Sequence, residues 1–369
     1  MFKEINNNTQ DNLLKQEIYK LFVSQCENIK TLLWSTLQPL SLFPGAQTCF
    51  SQLYRLCVEV DFVNSDALDE MARICKGLNE LTIRYCSYDH PGLISLINAQ
   101  KNLKRVWLHF TIKKGCKELG KSLARKGDTI DVLTLYSVSV ITPSLLTSFI
   151  NLKYLSIYNK TNKENVEDEV KELQQYLAIS EFSKLQSLNI YELSCFKELA
   201  TLVEKAKENI LQIFIYNSDY NTNKDAENTE MLIKAISNNC PNIKQLSTYI
   251  EPKDFIHIKS LLLNCRSLRK IRLDNLNSFV NENDNIGDEL LDILTKFSPK
   301  SLNDVTISEV WKYSIDAFEQ FFESCRERTT INFGIIHDDK YFITEDHKSI
   351  VRKYMNKGVI EWTNCVLTS

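Results

Sequence analysis

Along most of the chain, apolar and polar residues alternate in a short frame that recurs. Aliphatic residues hold its first, fourth and sixth places, L-x-x-L-x-L, and polar or aromatic residues fill the gaps. The frame is clearest in Leu78-Asn-Glu-Leu81-Thr-Ile83, Leu103-Lys-Arg-Val106-Trp-Leu108, Leu152-Lys-Tyr-Leu155-Ser-Ile157 and Leu185-Gln-Ser-Leu188-Asn-Ile190. Further copies start at Leu53, Ile130, Ile210, Leu268 and Leu302, and looser ones at Ile29, Ile243 and Thr330. The twelve starts lie 22 to 34 residues apart, so a single unit repeats along the chain.

Within each frame the alternation has the period of a half-buried strand, and the segment after it carries apolar residues at helical spacing. Between Leu56 and Leu81, Asp66 is expected to cap a helix carrying Leu68, Met71, Ala72 and Cys75. Between Phe214 and Leu246, Thr229 is expected to cap one carrying Leu232, Ile233 and Ile236. A strand followed by a helix leaves apolar faces open on both sides, so each unit must stack on its neighbours. The predicted fold is an α/β leucine-rich-repeat solenoid (horseshoe) of about twelve repeats, with a parallel sheet on the concave face and helices on the convex face.

The ends depart from the frame, as solenoid ends do. Residues 1–27 are expected to form an N-terminal capping helix, with Leu13, Leu14, Ile18, Leu21 and Phe22 on one face. Residues 28–337 form the solenoid, and 338–369 a C-terminal capping segment whose helix runs from Thr344 to Lys357. Pro39 and Pro44-Gly45 predict irregular loop over 36–50.

Composition excludes several function classes. The 369 residues are 43% hydrophobic and 25% charged with few Gly and Pro, which fits a packed fold and not a disordered chain. A net charge of −3 gives no global attraction to nucleic acid or to anionic membrane, and neither partner is expected. No stretch reads as a signal region or a membrane span. With eleven cysteines, an odd number, the chain reads as a reduced cytoplasmic or nuclear protein. No CxxC pair occurs and no histidine stands at metal spacing, so no metal and no cofactor are expected.

The cysteines narrow the repeat type. Cys26, Cys75, Cys240 and Cys265 each stand three residues before a frame, and Cys86 follows Ile83 where the repeat carries Asn or Cys. With Leu42-Phe-Pro-Gly45, Cys75-Lys-Gly-Leu78 and Trp311-Lys-Tyr-Ser-Ile315-Asp-Ala-Phe318, the chain resembles the F-box/leucine-rich-repeat proteins in their expanded fungal branch. The resemblance implies a substrate receptor of a cullin-RING ubiquitin ligase, whose repeats hold the target and whose F-box docks the adaptor. Only 28 residues precede the first frame, so the F-box itself is not expected in this chain, and adaptor binding would belong to a longer form. The cysteines themselves read as small apolar fillers of the core.

Strand alternation sends places 3, 5 and 7 of each frame away from the core, onto the concave face. Place 7 reads Tyr136, Tyr158, Tyr191, Tyr216 and Tyr249 in five consecutive repeats, preceded by Arg84 and His109 and followed by Asp274. Tyr154 at place 3 and Trp107 and Phe214 at place 5 flank this ladder, with Arg105 and Glu59 toward one end and Lys270 and Arg272 toward the other. Tyrosine offers large apolar area with a polar tip, as interfaces favour, and the candidate protein-binding residues are these rings with Arg84, His109 and Arg272. A tyrosine ladder can equally serve the sheet alone, since the residue has high strand propensity. Insertions at 158–172, 217–230 and 276–289 carry a combined charge of −9 and are expected along one rim as solvated loops.

One motif competes with this reading. Gly115-Cys-Lys-Glu-Leu-Gly-Lys-Ser122 matches a phosphate-binding loop, yet Cys116, Leu119, Leu123 and Ala124 keep helical spacing and belong to a repeat helix. With no nucleophile elbow and no HExxH, a catalytic role is not expected. The expected function is a non-catalytic scaffold binding a protein or peptide on the concave face, as the recognition module of an F-box-type receptor. The alternative is a standalone adaptor or inhibitor-like scaffold unconnected to ubiquitin.

Overall fold

The computed structural model describes residues 2–109, 116–137, 142–159, 167–206, 208–216, 228–276, 285–326, 330–337 and 342–366. The chain divides into two compact units, Met1–Tyr176 and Leu177–Ser369. In the first, α1 (Phe2–Gln25) leads into β1 (Thr31–Trp34), α2 (Ala46–Phe50), β2 (Arg55–Glu59), α3 (Ser65–Ile74), β3 (Glu80–Arg84), α4 (Pro91–Ala99), β4 (Arg105–His109), α5 (Lys117–Ala124), β5 (Val132–Leu135) and β6 (Tyr154–Tyr158). The division falls within α6 (Glu167–Ile179). The second unit holds β7 (Ser187–Tyr191), α7 (Phe196–Lys205), β8 (Gln212–Tyr216), α8 (Thr229–Asn239), β9 (Gln245–Tyr249), α9 (Phe255–Asn264), β10 (Lys270–Asp274), α10 (Gly287–Phe297), β11 (Asp304–Ser308), α11 (Ile315–Ser324), β12 (Ile331–Ile336), α12 (Glu345–Asn356) and β13 (Ile360–Thr363). Within each unit the strands pair parallel in chain order, and each unit is a leucine-rich-repeat solenoid of alternating strands and helices.

The frame explains the pairing. Its fourth places stand side by side, Leu56 beside Leu81, Leu81 beside Val106 and Val106 beside Leu133, and all four are fully buried. A one-residue slip would turn every one of these side chains to solvent, which fixes the register. The second place supplies backbone continuity. The Tyr54 carbonyl accepts from the amides of both Asn79 and Glu80, the Asn79 carbonyl from Lys104 and Arg105, and the Lys104 carbonyl from Asp131 and Val132. The second unit repeats this at Gln186, Leu211, Lys244 and Arg269. The repeat is therefore defined by hydrogen bonds as well as by apolar burial.

Cysteine works at the helix ends as a filler with a weak donor. The Cys75 thiol reaches the Leu53 carbonyl and the Cys265 thiol the Cys240 carbonyl, each at 3.4 Å, so each bridges to the preceding repeat. Gln100 takes the same place before Leu103 and does more: its amide nitrogen donates to the Cys75 carbonyl at 2.9 Å and its oxygen accepts from the Leu78 amide at 2.9 Å.

Several expectations are corrected. The cap of α3 is Asn64, whose side chain accepts from the Asp66 amide at 2.7 Å, so Asp66 lies inside the first turn. Thr229 is the first residue of α8 and its hydroxyl bonds the buried Asp254 carboxylate of the next repeat at 2.6 Å. Residues 36–50 contain α2, made possible by Gly45 at φ +90°, where a Cβ would stand 2.8 Å from the Val23 carbonyl oxygen. α1 forms, but it packs with Val23 buried and leaves Leu14, Ile18 and Leu21 at 62%, 55% and 63% exposed. A thirteenth strand, β13, follows α12 where the frame gave none. The phosphate-loop string enters helix α5 as its spacing implied: Leu119 and Leu123 are buried and Lys121 pairs with Glu118 one turn away at 2.7 Å, while Gly115 lies outside the described residues.

Two buried histidines make helix starts pH-dependent. At the start of α4, His90 Nδ1 accepts from the Leu93 amide at 3.4 Å while Nε2 donates to the Val63 carbonyl at 3.2 Å. At the start of α12, His347 Nδ1 accepts from the Thr344 amide at 3.2 Å while Nε2 donates to the Tyr313 carbonyl at 2.9 Å. The His90 ring is held as the neutral Nε2–H tautomer, because protonating Nδ1 would point a proton at the Leu93 N–H, while His347 Nδ1 also meets the Thr344 hydroxyl at 2.8 Å. Burial lowers both pKa values below 6.5, with their backbone hydrogen bonds, Asp61 and Asp69 near His90, and Asp346 and Asp288 near His347 opposing it. Below about pH 6.5 the unfolded chain therefore binds more protons than the folded one, so stability falls as pH drops from about 7 toward 5. Urea unfolding midpoints measured across that range should decrease, and His90→Asn, which keeps an accepting cap, should flatten the slope. A pH-independent midpoint would contradict this.

Candidate functional site

Strand alternation leaves one face of each unit's sheet free of helices, and the candidate residues lie there. In the first unit, place 7 runs Glu59, Arg84 and His109 in direct register, followed by Tyr136 and Tyr158. Three of these side chains form a stack. The His109 and Tyr136 rings are 3.6 Å apart at 18° and the Tyr136 and Tyr158 rings 4.6 Å apart at 8°, and all three are half-buried. The stack thus begins one repeat before the tyrosines, with an imidazole. Burial first, and Arg84 second, hold the His109 pKa below its ordinary value, so at neutral pH the ring is uncharged and stacks without a charge of its own. Trp107 stands half-buried at place 5 of the same strand as His109, and Tyr154 at place 3 of β6 is 43% exposed.

The charged end of this face is organised by a carboxylate that the place-7 reading passed over. Glu80, at place 3 of β3 and only 3% exposed, lies between Arg55 and Arg105 on the flanking strands. Its Oε2 is paired with Arg55 Nε, and its Oε1 receives Arg105 Nη1 at 3.1 Å. Both guanidinium groups are half-exposed, so Glu80 is neutralised from two sides while the arginines keep contact with water. The signal was present in the sequence: place 3 of consecutive repeats reads Arg, Glu, Arg, opposite charges directly across neighbouring strands. Arg84, on the same strand as Glu80, is exposed and forms no ion pair among the described residues.

In the second unit, Tyr191 and Tyr216 stack at 5.2 Å and 16°, and Phe214 lies parallel to Tyr216 at 6.4 Å. Arg272 reaches across β9, where place 5 is the small Ser247, to sit 5.9 Å over the Tyr216 ring, and it also meets Asp274 Oδ2 at 3.4 Å. A guanidinium on a ring face is attracted by the ring quadrupole, so Arg272 and Tyr216 orient one another. Tyr249 is not presented like the others: it is 5% exposed, beside Asp274 at 8%. Toward β11 the open face is polar, with Lys270 of β10 paired to Asp304 at 2.9 Å. The acidic insertions at 158–172, 217–230 and 276–289 are not loop throughout: 167–172 open α6, 229–230 open α8 and 287–289 open α10, while 160–166, 217–227 and 277–284 lie outside the described residues.

Among the described residues no group of three or more His, Cys, Asp or Glu side chains could hold a metal, and no helix is long and apolar enough to cross a membrane. What the face offers is a set of ring edges, hydroxyl groups and guanidinium groups projecting from strands whose own core contacts are complete.

No family model matches the chain and no curated protein matches it. Among solved structures, the chain is similar to one in the crystal structure of the Rad7 and Elc1 complex in yeast, at 16% identity and a TM-score of 0.40, over 90% of this chain and 72% of that one. It is also similar to the leucine-rich repeat-containing protein LegL7 from Legionella pneumophila, at 12% identity and a TM-score of 0.34, over 92% and 94% of the two chains.

Proposed function

We propose that the chain is a non-catalytic scaffold that binds a protein segment on the open face of its sheet, within the cytoplasm or nucleus. One observation carries this reading: aromatic rings stand in stacks at place 7, joined by Phe214 at place 5, half-buried on a face where the fold needs no apolar residue. The core at places 4 and 6 is already closed, with Leu81, Ile83, Val106 and Leu108 fully buried. Rings left in partial contact with water next to arginine are the composition of interface centres, where Tyr, Trp and Arg contribute most of the binding energy. The finer reading is a substrate-recognition module of an F-box-type ubiquitin ligase receptor, supported by the cysteine-containing repeat pattern of Cys75, Cys86, Cys240 and Cys265.

Affinity purification of the wild-type chain beside Tyr136→Ala/Tyr158→Ala and Tyr191→Ala/Tyr216→Ala variants tests the face. Loss of a specific partner from at least one variant, with unchanged circular dichroism, is the expected result, because removing central rings at an interface costs about 2 kcal/mol or more each. Retention of every partner by both folded variants would refute the open face as the binding site. Recovery of a cullin and its adaptor with a longer form of the chain would support the ligase role, and another stable partner in their place would replace it with a standalone adaptor.

A further inference from the structure

The open-face reading leaves the chemistry of the partner unspecified, and the first unit narrows it. Resting on that reading, we infer that β3 to β6 take an extended protein segment carrying an acidic side chain, Asp or Glu, whose carboxylate pairs with Arg84.

Three arginines, Arg55, Arg84 and Arg105, stand on neighbouring strands against two carboxylates, Glu59 and Glu80. Glu80 is consumed by Arg55 and Arg105. Glu59 stands directly beside Arg84 in the register without pairing to it, so the patch as a whole is net positive, and Arg84 is the arginine whose exposed guanidinium is engaged by neither carboxylate. The neighbouring stack has the same polarity. Rings packed face against face, as His109, Tyr136 and Tyr158 are, spend their electron-rich faces on each other and leave their edges for a ligand. Aromatic edges are the positive part of the ring quadrupole. Guanidinium and ring edges together therefore favour an electron-rich partner: a carboxylate at the arginine, with backbone carbonyls or apolar groups along the rings. A basic segment would meet like charge at Arg84 and gain nothing from the edges.

The geometry also sets a length. From Arg84 on β3 to Tyr158 on β6 there are three strand steps of about 4.8 Å, about 14 Å in all. An extended chain covers that span with about four residues. The segment expected is an acidic residue followed or preceded by about four residues that cover the stack, running across the strands.

A phage-displayed random 12-residue peptide library provides the probe, selected in parallel on the wild-type chain, on Arg84→Gln and on Tyr136→Ala/Tyr158→Ala. The wild type should enrich peptides with Asp or Glu above the frequency of the library, spaced about four positions or fewer from apolar or aromatic residues. Selection on Arg84→Gln should lose the acidic preference while keeping the apolar one. A synthetic peptide from the wild-type pool should bind Arg84→Gln about tenfold more weakly, and its Asp→Asn or Glu→Gln form should no longer distinguish the two proteins. Because Arg84 is exposed, the substitution leaves folding intact, which circular dichroism checks. Peptides lost with the tyrosines but carrying no acidic preference would overturn this inference and leave the open-face reading standing. Peptides indifferent to Arg84 and to both tyrosines, or no enrichment at all, would overturn both.

Discussion

Phe318→Ala is expected to lose about 3–5 kcal/mol of stability in the second unit, the cost of deleting a large aromatic from a core that cannot collapse around it. Phe318 in α11 is fully buried and is the hub of a ring cluster. It meets Phe322 at 5.2 Å and 90°, Phe333 at 5.5 Å and 83°, and the His347 ring at 5.0 Å and 87°, with Tyr313 at 5.9 Å. These contacts join α11, β12 and α12, three consecutive elements of a stack whose repeats stabilise only their neighbours. The loss should therefore be local. Hydrogen exchange should rise first in β12, α12 and β13, and unfolding of the second unit is reported by Trp311, fully buried and edge-on to Phe255 at 5.4 Å. Phe318→Leu should lose less, because it keeps most of the volume. A change below about 1 kcal/mol, or protection lost equally in the first unit, would show that the cluster is not the hub this packing implies.

The frame made the strands legible because burial and register follow from the same alternation. All twelve starts read from the sequence lead into strands, from β1 after Ile29 to β12 after Thr330. β13 escaped because Ile360-Glu-Trp-Thr has no leucine ahead of it at the usual distance and its register on β12 shifts between Ile331 and Asn332, with Asn364 continuing the contact past the end of the strand. That asparagine accepts from the Ile335 amide at 2.8 Å and donates to the Ile335 carbonyl at 2.7 Å, doing with an amide side chain what a strand does with its backbone.

Faces were harder to read than elements. In α1 the helical period identified an apolar stripe, but docking is decided by where the loop after the helix directs it, and Val23 is turned inward while Leu14, Ile18 and Leu21 stay outside. On the sheet, place 7 of the frame located the rings, yet equal places are not equally exposed: Tyr136 is half-buried and Tyr249 nearly enclosed. Exposure depends on what each following turn covers, and that is set by loops the frame does not encode. The Glu80 triad was readable in principle, since it needs only the place-3 residues of three repeats set side by side. The direction of Arg272 across β9 was not, because it depends on the small Ser247 beside it letting the side chain reach a ring two strands away.

Helix stacking in the first unit leads to a contrast between two glycines. Gly92→Ala is expected to destabilise the first unit by about 2–3 kcal/mol, the usual cost of forcing an extra carbon into a packed interior. Gly92 lies in the first turn of α4, where its amide donates to the Ser65 hydroxyl at 2.9 Å across the gap to α3. A Cβ there would press into the Ser65 carbonyl oxygen and stand 2.8 Å from the Leu68 Cβ, so the obstacle is backbone and a buried carbon bonded directly to it, neither able to swing away. Opposing this, alanine is the better helix former by up to about 1 kcal/mol, an advantage too small to win. Gly77, in the turn after α3, provides the control. A Cβ at that position meets nothing within 4 Å, and its backbone is not left-handed, so Gly77→Ala should be neutral or slightly stabilising through the unfolded state. Urea unfolding of both variants, read by Trp34, fully buried at the end of β1, distinguishes the cases. Equal stabilities would mean that α3 and α4 can separate at no cost, and the close helix approach would then not be what holds consecutive repeats together.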